Sequence, residues 1–153
     1  MKRHTALYTL SHDHHQGLIL AQQLKKNAPH YKGMTSTLDG KKEYAISFYN
    51  TELVKHFEDE ERILFPAVIK RYKEVDELVE EIISEHRKMK SLINDLIRKS
   101  DVEDLLDELG VLLENHIRKE ERKLFPKLEE ILSEEELVSI SKRLISSRRG
   151  EKK

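Results

Sequence analysis

The chain of 153 residues is close to neutral, with 28 basic and 29 acidic residues and a formal net charge of −1. It has no cysteine, which excludes disulfides, thiolate metal ligands and cysteine nucleophiles. The charge balance predicts no nucleic-acid or membrane partner, and no stretch is apolar enough to serve as a signal peptide or to span a bilayer. We therefore expect a single cytoplasmic domain over residues 1–153.

Two helices joined by a loop are predicted in the first half of the chain. The first runs from about Ala6 to Lys26, and its inward stripe consists of Leu7, Leu10, His14, Gly17, Ala21 and Leu24. Pro29 and Gly33 indicate the loop. The second helix begins near Leu38 or Asp39 and should bend or break at Phe65-Pro66, because proline lacks an N–H donor. Its inward face comprises Ala45, Tyr49, Leu53, His56, Glu60 and Ile63.

Three further helices are predicted in the second half. The third runs from about Val75 to Lys99, with an inward stripe of Val79, Ile82, His86, Met89, Ile93 and Leu96. Ser100 or Asp101 is predicted to cap the fourth helix, which runs to Phe125-Pro126 with Leu105, Leu109, Leu112, His116 and Glu120 on one face. Ser133 and Glu136 form a capping-box pattern that opens a short fifth helix through about Ile145. The predicted fold is all-α, an up-down-up-down four-helix bundle with the short C-terminal fifth helix lying against it.

The most informative feature is a repeat, in which the pattern from His56 to Pro66 recurs from His116 to Pro126. Each copy places a histidine four residues before a glutamate, so both side chains project from the same helical face. The pairs are His56 with Glu60 and His116 with Glu120. A nitrogen donor one turn from an oxygen donor, present twice, predicts a site for two metal ions.

The residues around each glutamate are weaker candidates for ligands. Asp59 lies on a similar face to Glu60, but its counterpart in the second copy is Lys119, which favours the matched glutamates. Glu61 and Glu121 are matched but turned further around the helix. They are expected to pair with Arg62 and Arg122, at the surface or just behind the ligands.

One histidine falls on the inward stripe of each remaining helix. Six groups that can bind a metal therefore point inward, namely His14, His56, Glu60, His86, His116 and Glu120. Each unpaired buried polar group costs about 1–3 kcal/mol, and metal coordination removes this cost. With nitrogen and oxygen donors the expected metal is iron, manganese or zinc. The alternative, an ordinary hydrogen-bonded core histidine, accounts for one such residue but not for the repeated pairs.

Other histidines and one tyrosine lie near these positions. Whether His15, about 100° around the first helix from His14, contributes to the site is left open, and so is the contribution of Tyr49, one heptad before His56. His12 is expected to face solvent or a neighbouring loop. His4 and His30 are expected to be surface residues.

Between Ser11 and Pro126 the order His, His-x-x-x-Glu, His, His-x-x-x-Glu resembles the hemerythrin-like family of HHE cation-binding domains. The resemblance implies a non-haem di-iron centre inside a four-helix bundle, with Glu60 and Glu120 as bridging carboxylates and the four histidines as terminal ligands. Oxygen-carrying members have a second third-helix histidine where this chain has Lys90, and an aspartate where it has Glu121. These differences disfavour a plain oxygen carrier. Members that repair iron–sulfur clusters usually carry a cysteine-bearing N-terminal segment, and the chain has no cysteine.

Three functions are compatible with the pattern. The leading hypothesis is a small di-iron protein that binds or senses O2, NO, peroxide or iron itself. In the second, the same centre is an oxidoreductase that turns over peroxide or NO. In the third, the metal is structural and the chain is an interaction module that docks another protein through Leu137, Ile140, Leu144 and Ile145, although covering one end of the bundle is the favoured use of that face. A redox or protein partner is left open.

Overall fold

The protein is all-α, and the residues that the structure describes contain no strand. The structure is a computed structural model and describes residues 3–26, 28 and 37–150. The predicted loop at Pro29 and Gly33, and with it His30, lies outside the described residues. Within the described ranges, no helix is both long and apolar enough to cross a membrane.

Five helices occupy the described residues, close to their predicted bounds. A short 3-10 turn at Thr5–Leu7 precedes the first. The helices are α1 at Tyr8–Leu24, α2 over 38–64, α3 at Lys73–Arg98, α4 over 103–131 and α5 at Glu134–Gly150. The predicted inward stripes of α1, α2 and α3 are all buried, which confirms their orientation.

The two copies of the repeat share a π-helical turn that was not predicted. It covers Glu60–Leu64 in α2 and Glu120–Leu124 in α4, and Phe-Pro follows it in both. A proline ring clashes with the carbonyl four residues before it and provides no N–H, and a wider turn relieves that conflict. α2 ends there as predicted. By contrast, α4 continues through Phe125–Ile131, with its proline in the first turn of the new helical segment, where proline is tolerated.

Two predictions about α4 are wrong in detail. Its N-cap is Val102 rather than Ser100 or Asp101, and no side chain caps it. Val102 is buried, so α4 begins at the point where this side chain packs into the core. The buried face is also rotated from the predicted one. It includes Leu106, Leu113 and Ile117, whereas Leu105 and Leu112 are only partly buried.

α5 begins at the predicted capping box and extends to Gly150 rather than to about Ile145. Ser133 N–H donates to Glu136 Oε1, and Glu136 N–H donates to Ser133 Oγ, both at 3.1 Å. Leu137, Ile140 and Leu144 are buried in a core shared with the other helices, while Ile145 is exposed. The favoured use of this face, packing on the chain's own helices, is confirmed. The alternative in which these three residues dock another protein is wrong, because they are already buried.

A buried polar layer separates two hydrophobic cores along α1–α4. The core that includes α5, which we call core A, also contains Leu10, Ile63, Ile82 and Leu124. The second, core B, contains Leu20, Phe57, Met89 and Ile117. On each of these four helices the polar layer lies between a core A stretch and a core B stretch. Its members are His14, His56, Glu60, His86, His116 and Glu120.

α1 and α4 approach closely because a glycine lies at the contact in each helix. A Cβ atom at Gly17 would lie 2.8 Å from Ile117 Cδ1, and one at Gly110 would lie 2.8 Å from the carbonyl oxygen of Ala21. The first neighbour is the end of a flexible side chain, but the second is backbone. Gly110 is therefore the position at which an added methyl group forces the two helices apart.

We predict that Gly110→Ala destabilises the protein. Overpacking costs about 1–3 kcal/mol, of which the higher helix propensity of alanine offsets up to about 1 kcal/mol. Urea unfolding measures the effect, and Asn115→Ala, at an exposed position of the same helix, is the matched control, with no expected loss. A Gly110→Ala protein as stable as the parent would contradict the close approach of α1 and α4.

Candidate metal centre

The structure brings together all six side chains that the sequence singled out. Each is at most 5% exposed. Their donor atoms form two groups, each with all atoms within 4.8 Å of one another. The first group is His14, His56, Glu60 and Glu120, and the second is Glu60, His86 and His116. Glu60 belongs to both groups, so one carboxylate links donors from all four helices.

Each of the four histidines has its Nδ1 atom within hydrogen-bonding distance of a carboxylate. The pairs are His14 with Glu121 at 2.6 Å, His56 with Asp13 at 2.9 Å, His86 with Glu61 at 2.8 Å and His116 with Glu85 at 2.7 Å. A carboxylate can only accept, so it keeps the proton on Nδ1 and leaves Nε2 directed into the polar layer. Histidines that bind metals are commonly held in this way.

The carboxylate partners repeat between the two halves of the chain. Asp13 and Glu85 each directly precede the histidine of their own helix and bind the histidine of the next. Glu61 and Glu121 each directly follow a layer glutamate. They lie directly behind the inward histidines, but they bind the ring nitrogens of His86 and His14 rather than the expected Arg62 and Arg122. The roles of Asp13 and Glu85 were missed, although an acidic residue directly before His14 and before His86 was a visible signal.

Several nitrogen and oxygen atoms inside the polar layer lie close together but have no hydrogen-bond partner among the described residues. His86 Nε2 is 3.2 Å from Glu60 Oε1, and His116 Nε2 is 3.1 Å from Glu120 Oε1, yet neither nitrogen has a hydrogen-bond partner among the described residues. Both oxygens of Glu60 and the second oxygen of Glu120 are likewise buried without one in the described ranges. Each such atom costs about 1–3 kcal/mol, and a cation among them removes that cost.

The spacing of these atoms fits metal coordination. His14 Nε2 lies 3.1 Å from His56 Nε2, and His56 Nε2 lies 3.4 Å from Glu60 Oε1. Metal–ligand bonds of about 2.1–2.2 Å at angles of about 90–105° place neighbouring ligands roughly 3.0–3.5 Å apart. Two histidine nitrogens facing each other are repulsive unless a proton or a metal ion lies between them. The residues present therefore fit a metal centre of imidazole and carboxylate donors.

The carboxylates strongly favour positive charge in this layer. Burial alone would lower the pKa of His56, but Glu60 and Asp13 outweigh it and raise the pKa to about 10. The pKa of His116 is raised to about 9, because Glu120 and Glu85 outweigh its burial. Burial would raise the pKa of Glu120, yet the charge of His116 and the contacts with His116 and His14 hold that pKa well below its usual value. When no metal is bound, protons on His56 and His116 therefore supply the positive charge that balances the carboxylates.

Phenylalanine rings pack against two of the histidines and explain the phenylalanine of the repeat. The Phe125 ring is stacked on His14 with centroids 5.3 Å apart, and Phe65 lies in the same relation to His86 at 6.4 Å. Phe57 stacks on the His86 ring at 3.9 Å. These rings hold the imidazole planes and exclude water from the polar layer.

The remaining histidines lie outside the cluster. His12 and His15 are exposed, as expected for His12. The Nδ1 atom of His4 accepts the Ala6 N–H, and its Nε2 lies 3.0 Å from Glu134 Oε2, near the surface. Tyr49 is buried beside Phe57 in core B, where burial and then the charge of Glu61 raise its pKa.

α5 connects to the centre through Arg148, a contact that the sequence analysis missed. Arg148 Nη2 donates to Asp13 Oδ2 and Arg148 Nε donates to Asp59 Oδ2, both at 2.7 Å. Ser147 Oγ donates to Asp59 Oδ1 at 2.8 Å. Burial would raise the pKa of Asp13, but His56 and Arg148 lower it. Arg148 therefore keeps the Asp13 carboxylate, which is bonded to His56, in its charged form. It also balances the charge of the buried Asp59.

Comparison with known proteins identifies one family. The model of the family described as Hemerythrin HHE cation binding domain matches residues 5–128, a range that contains the whole cluster. No curated protein and no solved structure matches the chain.

The raised pKa values predict how the stability of the metal-free protein depends on pH. The pKa values of His56 and His116 are about 10 and about 9 in the folded protein, against an ordinary histidine value of 6.5. Their protonation stabilises the fold fully below about pH 6.5, and this contribution is lost as the pH rises toward 9–10. We expect the free energy of unfolding of the metal-free protein, measured in urea, to fall from pH 7 to pH 10. A flat or rising profile would contradict the paired imidazolium groups, and His116→Gln should reduce the slope.

We predict that Arg148→Ala lowers the free energy of unfolding by about 1–3 kcal/mol, because the buried Asp59 loses its guanidinium hydrogen bond and keeps only the more distant Lys55 Nζ, at 3.5 Å, as a cation. Arg149→Ala, at the exposed next residue of the same helix, should change it by less than about 0.5 kcal/mol. Urea unfolding of the metal-free variants compares them. Equal effects of the two substitutions would show that the bridge to Asp59 and Asp13 is not formed in solution.

Proposed function

Because the chain belongs to the Hemerythrin HHE cation binding domain family, we propose that it is a non-haem di-iron protein that binds or senses a small molecule of the O2, NO or peroxide class, or iron itself. The observation that carries the proposal is the pair of buried donor groups that share Glu60. Four Nδ1 atoms are already bonded to carboxylates, so four Nε2 atoms and two glutamates remain for metal ions.

We infer that α1–α4 form an up-down-up-down bundle around this centre, with α5 packed on it. Core A residues precede the polar layer on α1 and α3 and follow it on α2 and α4. The direction in which the chain passes through the polar layer therefore alternates from helix to helix, which supports an antiparallel arrangement.

The proposed roles of the ligands rest on the two donor groups, which share Glu60, and on Glu120 Oε1, which lies 3.2 Å from His14 Nε2 and 3.1 Å from His116 Nε2. His14 and His56 would hold one iron, His86 and His116 the other, and Glu60 and Glu120 would be the bridging carboxylates. A bound iron pair supplies reversible one-electron chemistry and positions for an exogenous ligand. The protein residues hold the imidazole rings, exclude water and place negative charge around the cations. Manganese or zinc would suit the same donor types, and the family favours iron.

Metal content tests the proposal. The protein is purified anaerobically without a metal-affinity column, reconstituted with ferrous iron, and analysed by mass spectrometry for metal per chain. We expect two irons per chain for the parent. His116→Ala should bind less than one, because it removes a donor from the buried cluster. His15→Ala removes an exposed histidine near the same layer and should retain both irons.

Two outcomes would count against the di-iron proposal. Retention of two irons by His116→Ala would refute the ligand assignment, and the absence of stoichiometric metal in the parent would refute the function. If the chain holds two manganese or two zinc ions after competition with iron, the ligand assignment stands and the identity of the metal changes. Absorption spectra of the ferrous protein with O2, NO or peroxide then establish which molecule binds.

A further inference from the structure

Three of the carboxylates that hold the histidines are themselves bonded to a cation. The pairs are Glu121 with Arg3, Glu85 with Lys119 and Asp13 with Arg148. A cation behind the carboxylate fixes its orientation and offsets its negative charge, and both effects reach the histidine and a metal ion bound to it. Arg148 differs from Lys119 in its origin, because it belongs to α5, which lies beyond residue 128, where the family match ends.

The two halves of the chain supply this cation in different ways. Asp13 and Glu85 occupy equivalent places, since each is bonded to the histidine of the following helix. Lys119 lies three residues after the histidine of its own helix and donates to Glu85. In the first half the same position of the repeat is Asp59, whose carboxylate cannot donate to Asp13. The repeat therefore provides a cation in one half and a second carboxylate in the other.

α5 provides the cation that the first half lacks. Arg148 Nη2 donates to Asp13 Oδ2 and Arg148 Nε donates to Asp59 Oδ2, both at 2.7 Å. Asp59 is 2% exposed, and Leu144, one turn before Arg148, is buried in core A. α5 is thus fixed by packing where one guanidinium reaches both carboxylates. This guanidinium takes the place that Lys119 has in the second half.

We propose that Arg148 is a positioning residue of the metal centre, which acts through Asp13 on His56 and raises the reduction potential of the iron that His56 binds. The inference rests on the proposed di-iron centre and assigns α5 to the regulation of that centre. The couple concerned is the one-electron reduction of ferric to ferrous iron. A positive charge close to the metal favours the state with the lower charge, so the loss of Arg148 makes the iron easier to oxidise.

A redox titration of the iron-loaded protein tests the proposal after the iron content has been measured. Dithionite donates the electrons, ferricyanide accepts them, and absorption follows the two one-electron steps through mediator dyes. Removing a unit charge roughly 8 Å from the metal, in a partly buried site with salt screening, changes such an equilibrium about tenfold. For Arg148→Ala we therefore expect one step to move to a potential lower by about 59 mV, the equivalent of tenfold for one electron.

Arg149→Ala is the matched control, because it removes the same charge at the exposed next residue. Its potentials should stay within a small fraction of that shift. Arg148→Gln keeps an N–H donor and removes the charge, and it provides the same comparison if Arg148→Ala does not fold.

The second half of the chain supplies a rescue variant. Lys55→Asn and Asp59→Lys, introduced together into Arg148→Ala, copy Asn115 and Lys119 of the second repeat and restore the net charge of the parent. We expect the lowered step to return most of the way to the parent potential, because a cation again lies beside Asp13. A purely structural role of Arg148 would give no such recovery.

The outcomes separate this inference from the proposed function. Unchanged or raised potentials in Arg148→Ala with two irons bound, or an equal shift in Arg149→Ala, would overturn the inference alone. Failure of the rescue variant to recover the potential while it holds two irons would do the same. A parent chain that binds no iron overturns the proposed function and this inference together.

Discussion

The structure depends on the burial of four histidines and two glutamates between two apolar cores. Atoms of His86, His116, Glu60 and Glu120 in this layer have no hydrogen-bond partner among the described residues. Such a layer is stable only when a cation compensates the carboxylates. Protons on His56 and His116 can serve in the metal-free chain, and metal ions serve in the loaded one. The rest of the structure orients these six side chains and shields them from water.

The support of the layer extends outward to residues far apart in the chain. Asp13 holds His56, and Arg148 on the last helix holds Asp13. The fifth helix is therefore connected to the metal centre electrostatically as well as by packing. Glycines at 17 and 110 allow α1 and α4 to meet closely on one side of the layer, whereas a surface cavity lined by Phe57 and His86 lies between α2 and α3. A repeat with nearly symmetric ligands thus gives a centre with two different ends.

Much of the fold and of the candidate site could be predicted from the sequence, because periodicity and spacing are local properties. The stripes of α1, α2 and α3 identified His14, His56, Glu60 and His86 as inward residues. The repeat separated Glu60 and Glu120 from the neighbouring Asp59, Glu61 and Glu121. Ser133 and Glu136 identified the start of α5, since a capping box involves only residues three apart.

Tertiary structure alone decided which residues support the site. The hydrogen bond of Arg148 to Asp13 joins residues 135 positions apart, and no local pattern encodes such a pair. The N-cap of α4 was predicted at the polar residues Ser100 or Asp101, but the helix begins at the buried Val102. The sequence by itself determined which six polar side chains face inward, because helical periodicity fixes the direction of each side chain. Only the packing of helices decided that Glu60 is shared between the two donor groups and which carboxylate holds each histidine, because both depend on distances between helices.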